Sequence, residues 1–97
     1  MLNQDQANMV AALAAATATE REVTAARPDG RSKWHSYARL VAEQDLMLSE
    51  TDAHRVAGAL ARKGILVSRT VLTVTRWTLT EDGARAAKGL ARMAGAA

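Results

Sequence analysis

The stretch from Ser49 to Gly83 constrains this chain most, because its hydrophobic period changes twice there. Ala53, Val56, Ala57 and Leu60 fall within one arc at 100° per residue, while Thr51, Arg55, Gly58 and Arg62 fall on the opposite arc. That spacing predicts a helix over 50–63 with one face in a core and the other open. Ser49 is its N-cap, Glu50 and Asp52 occupy the first turn where the helix dipole favours negative charge, and Gly64 takes the C′ position of a left-handed stop. Residues 65–80, rich in Val, Thr, Leu and Ile, then read as two short strands. Their turn lies within Arg69 to Thr75, where no Asn-Gly or Asp-Gly pins the register. Trp77 and Leu79 share parity and are expected inward, Arg76 and Thr78 outward.

Ninety-seven residues are enough for one domain with one core and too few for two. Phe is absent and aromatics make up 3 %, so Ala, Leu, Val, Ile and Met must pack around Trp34, Tyr37 and Trp77. Close helix packing suits such small side chains, and the expected class is mainly α with a small β-hairpin.

Upstream, residues 1–19 are Ala-rich, with Leu2, Met9, Val10, Leu13 and Ala16 returning to one helical face. Thr17 and Thr19 each precede a Glu by three residues, the capping-box pattern, so this helix either restarts there or runs on to Ala26. Pro28-Asp29-Gly30 marks a loop over 27–31. Ser32 is the expected cap of a second helix carrying Trp34, Tyr37, Ala38 and Val41 to about Gln44, after which Leu46, Met47 and Leu48 form an apolar turn. Thr80 caps a last helix reaching Met93, with Ala84, Ala87, Leu90, Ala91 and Ala94 as its stripe, and the final three residues should fray.

Charge is segregated along the chain. Residues 1–52 hold five basic and eight acidic side chains, whereas 53–80 hold five basic ones, Arg55, Arg62, Lys63, Arg69 and Arg76, and no acid. There is no cysteine, and His35 and His54 stand apart, so no metal or cofactor is expected. No nucleophile, histidine and acid combination and no phosphate-cradling Gly-rich loop appears, so no enzyme is read here. The absence of a basic leader and of an eighteen-residue apolar run points to a cytoplasmic protein without a membrane span.

With these elements in place, Leu48-Ser49, Val56 and Leu60, Lys63-Gly64-Ile65-Leu66 and Trp77-Thr78-Leu79-Thr80-Glu81-Asp82-Gly83 together resemble winged helix-turn-helix regulators of the MarR and PadR type, over roughly 40–90. The resemblance implies a single winged-helix domain over 1–97. The N-terminal helix or helices (1–26) would add to the helix-turn-helix and wing (32–80), followed by the C-terminal helix (81–94). It also implies sequence-specific binding of double-stranded DNA by a small transcriptional regulator, with the helix over 50–63 in the major groove. Carried over by position, Thr51, His54 and Arg55 would contact bases, and Ser49, Arg62, Lys63, Arg69 and Arg76 the backbone. Arg55 is the foremost base reader, since a guanidinium pairs two acceptors of guanine at once. A homodimer through the N-terminal and C-terminal helices would follow from two-fold operators. Two alternatives stand beside this: a winged-helix protein-interaction module, as an adaptor or inhibitor, and a DNA-bending recombination accessory protein.

Overall fold

The structure, a computed structural model, describes residues 2–23, 34–44 and 46–95. Within them the chain is mostly helical, with four helices and one small antiparallel sheet. These are α1 (Gln4–Val23), β1 (His35–Ser36), α2 (Tyr37–Gln44), α3 (Glu50–Arg62), β2 (Leu66–Val71), β3 (Val74–Leu79) and α4 (Glu81–Gly95). The strand order is β1, β3, β2, with β3 in the centre. This arrangement is compatible with a winged helix.

The core forms where α1 crosses the other helices and the inner face of the sheet. Met9, Val10, Leu13, Leu40 and Leu60 are fully buried, with Trp77 and Leu66 nearly so. Each such side chain contributes about 1.5–3 kcal/mol by leaving water. The Met9, Val10, Leu13, Ala16 stripe of α1 is thus consumed by the chain's own core. The helix is continuous through Thr17, whose hydroxyl donates back to the Leu13 carbonyl at 2.8 Å instead of capping a new start. Of the two expectations for this region, restart or run-through, the second fits as far as Val23. The loop at 27–31 and the cap at Ser32 lie outside the described residues.

The second helix begins later than its periodicity suggested. Trp34 precedes it, and His35 and Ser36 pair with Trp77 and Arg76 of β3 as a short strand. Ser36 supplies the cap, its hydroxyl oxygen accepting from the Arg39 N–H at 3.3 Å. Because the helix starts at Tyr37, its inward stripe is Tyr37, Leu40 and Gln44, while Ala38 and Val41 face solvent. The Tyr37 hydroxyl donates to the Leu48 carbonyl and holds the turn before α3. In that turn Leu46 is buried and Leu48 partly so, but Met47 is exposed.

His35 takes the inward place that the aromatic pattern gave to Trp34. It is fully buried, with its Nε2 3.2 Å from the Thr17 hydroxyl, and so ties β1 to α1.

Between α3 and α4 the fit is tight. Gly64 ends α3 with φ of 75°, and the Ile65 N–H donates to the Leu60 carbonyl at 3.0 Å. Thr80 then bridges back: its N–H donates to the Ile65 carbonyl and its hydroxyl to the Gly64 carbonyl at 2.6 Å, while the same hydroxyl oxygen accepts from Gly83 N–H at 3.0 Å. Gly83 is buried against the Ile65 carbonyl. The Leu-Thr-x-x-Gly pattern therefore has a packing cause, with Thr as cap and Gly as the only residue that admits the carbonyl.

Thr78, expected outward, is buried, because α1 and α4 pack on each other and both lie against β3. The inward positions of α4 are Gly83, Ala86, Ala87 and Leu90; Ala84 and Ala91 are exposed and instead edge a cleft shared with Ala14, Thr17 and Ala18 of α1. Ala94 has no described side chain.

Candidate nucleic-acid interface

The open face of α3 follows from its sequence. Ala53, Ala57 and Leu60 are buried, so the arc that carries Thr51, Arg55 and Arg62 stands exposed on the far side, with Gly58 between them partly covered. Ser49 caps the helix, its hydroxyl oxygen accepting from Asp52 N–H at 3.1 Å, which fixes the exposed side chain at the start of α3 and leaves its O–H as a donor. A methyl group at Gly58 would meet only the Arg62 guanidinium, at 3.6 Å.

Pairing along α3 reduces its positive field. Arg55 forms an ion pair with Asp52 one turn back at 2.7 Å, and Glu50 stands 3.8 Å from the His54 ring nitrogen. The two carboxylates of the first turn offset Arg55 and Arg62. Lys63, beyond the helix, reaches across to Gln6 of α1, its Nζ donating to Oε1 at 3.3 Å. His54 sets its ring edge-on to Trp77, centroids 5.2 Å apart, at the seam between α3 and the inner face of the sheet. It belongs as much to packing as to the open surface.

The two hairpin cations are elsewhere. In the β2 and β3 ladder Arg69 stands directly opposite Arg76, and Ser68 opposite Trp77. Since Trp77 points inward against His54, pleat alternation sends Arg69 and Arg76 to the outer face of the sheet. The five cations of 53–80 thus divide: Arg55 and Arg62 on α3, Lys63 at its C-terminal end with its side chain reaching to Gln6, and Arg69 and Arg76 on the outer face of the sheet. Their clustering in sequence does not carry over to one surface, because position along a chain records a charge and not its face.

Trp34 is the surface residue that sequence reasoning misassigned. It lies half-buried on that same outer face, with the Arg69 guanidinium 4.8 Å above its ring. Trp34, Arg69, Val71 and Arg76 enclose a hollow of about 250 Å³. The signal was present in Ser36, which is as good a helix cap as Ser32 and would have left Trp34 in extended chain.

At the hairpin tip, Leu72 and Thr73 form a two-residue turn between the paired Val71 and Val74. Leu72 has φ of 58° and is 94 % exposed, an unusual place for a large apolar side chain.

Among the described residues, no group of three or more His, Asp or Glu is placed to hold a metal ion, and no helix is long and apolar enough to cross a membrane. Comparison with protein-family models, with curated proteins and with solved structures finds no match.

Proposed function

We propose that the chain is a winged-helix module that binds double-stranded DNA by inserting α3 in the major groove, and acts as a small transcriptional regulator. The observation that carries this reading is the uncovered arc of α3. No described element packs over Thr51, Arg55 and Arg62, which lie at the spacings of one helical face, while the opposite arc is buried. A helix held this way on a rigid core is the part that enters a groove. The element order supports it, with one helix, a short strand, two helices, a hairpin and a final helix. Thr51 and Arg55 are the proposed base-contacting residues, with Arg62 on phosphate.

A two-fold homodimer is the natural partner arrangement, because one helix reads few base pairs. The Ala-lined cleft between α1 and α4 offers its contact, since the apolar stripe of α1 itself is used internally.

Binding to random duplex DNA across a salt series tests the reading. Affinity should fall steeply as salt rises, and Arg55→Ala and Arg62→Ala should lower it. A protein that ignores duplex DNA even at low salt is not a DNA-binding regulator. One observation favours a protein-interaction module instead: Glu50 and Asp52 bring the α3 face close to charge balance, which suits a polar protein partner better than a polyanion.

A further inference from the structure

The outer face of the sheet carries a feature that folding alone does not account for. Arg69 and Arg76 occupy one rung of the ladder, a register that sets two like charges side by side and is destabilising by itself. No described acid pairs with either of them. Trp34 lies beside the rung beneath the Arg69 guanidinium, and Val71 completes the wall of the hollow.

Two demands follow for any occupant. It must be anionic, to relieve the paired guanidiniums, and it must offer a flat apolar group, because an aromatic ring with an arginine stacked upon it presents a flat cationic surface. A duplex meets only the first demand, since its bases are stacked within the helix. An acidic peptide brings the charge but has a flat group only where an aromatic side chain adjoins a carboxylate, whereas an unpaired nucleic-acid strand has one at every residue. A nucleotide in an unpaired strand brings both, its phosphate and its base on neighbouring atoms.

We infer that Trp34, Arg69 and Arg76 form a site for an unpaired nucleotide of a nucleic-acid strand, on the face of the sheet turned away from α3. The base stacks on the Arg69 guanidinium, Trp34 positions that guanidinium from below, and Arg76 binds the adjoining phosphate. The site does not depend on the duplex reading, for it uses none of the α3 residues.

The test is fluorescence anisotropy with a labelled oligothymidylate of about twelve nucleotides, a length within the footprint of single-strand binders. Arg76→Ala should weaken binding roughly tenfold or more, the scale of one lost stacking or phosphate contact. Arg69→Lys, which keeps the charge and loses the plane, should do the same. Trp34→Ala should also weaken it, and Trp34→Phe should recover most of the loss. Arg55→Ala should leave it unchanged. Far-UV circular dichroism and melting curves confirm that each variant is folded, and the residues altered lie outside the buried core. Four results overturn the assignment. Arg69→Lys binding as the parent does shows a plain point charge. Polyglutamate competing as well as the oligonucleotide shows a site for acidic protein. Thymidine monophosphate saturating the site with the affinity of the strand shows a free-nucleotide pocket. Oligonucleotide binding lost in Arg55→Ala shows that α3 carries it.

Discussion

A β-carbon built on Gly83 would stand 1.9 Å from the carbonyl oxygen of Ile65, closer than any side chain can approach a backbone oxygen. Gly83 sits in the first turn of α4, and Ile65 is the residue that leads out of α3 into β2. That contact fixes the distance between the end of the candidate recognition helix and the start of the last helix. Gly83→Ala should therefore force α4 away from the sheet and lower stability by about 1–3 kcal/mol, the range for overpacking a tight site. Gly89→Ala is the control, because a methyl group there meets nothing within 4 Å. It should gain up to ~1 kcal/mol through helix propensity. Urea unfolding of the two variants should shift the midpoint in opposite directions.

Thr80 joins the same region through its hydroxyl, which caps α4 and binds the Gly64 carbonyl. Thr80→Val keeps the shape and removes both bonds, leaving the Gly64 carbonyl to find water. A loss of about 1–2 kcal/mol is expected, on the scale of a lost N-cap. Thr80→Ser should retain most of the stability, and equal losses for the two variants in thermal unfolding would refute the hydrogen-bond assignment.

At the hairpin tip, Leu72 adopts a left-handed conformation that ordinary side chains reach at a cost of about 1 kcal/mol or more. Leu72→Gly and Leu72→Asn should both raise the melting temperature, since glycine has no steric penalty there and asparagine tolerates the region. Leu72→Ala keeps the strain and should show no such gain.

On α3, Asp52 holds Arg55 in an exposed ion pair, which is worth only ~0.3–0.5 kcal/mol to folding. Asp52→Asn should hardly change stability, yet it frees the guanidinium and removes a negative charge from the open face. Duplex affinity should rise in Asp52→Asn and fall by about 1–3 kcal/mol in Arg55→Ala, as measured by titration at fixed salt. Unaltered duplex binding in both variants would remove Arg55 from the interface.

Much of this architecture is legible in the chain because its punctuation is local. Ser49 and Gly64 act on their own neighbours, and Thr80 caps Gly83 three residues on, so the bounds of α3, the hairpin and the start of α4 follow from residue chemistry, while the bond from Thr80 back to Gly64 does not. The hairpin turn falls inside the expected window, but only its ladder partners specify Leu72 and Thr73. β1 was not legible, since a two-residue strand has no period and exists through the pairing of His35 and Ser36 with β3. The burial of Thr78 is likewise a tertiary effect, for α1 and α4 both lie against β3. For the candidate interface, the exposed arc of α3 could be derived from helical geometry, whereas the diversion of Lys63 to Gln6 depends on a contact between residues far apart in sequence.

The strand order leaves β2 at the edge of the sheet, and Val67, Val71 and Leu72 are exposed along it and at its tip. Such an edge is a template for adding further strands, and a single cation is a usual guard against it. Arg69 is the only charged residue of β2. It thereby acts as a gatekeeper of colloidal behaviour: neutralising it should leave a protein that folds normally and then self-associates edge to edge as its concentration rises.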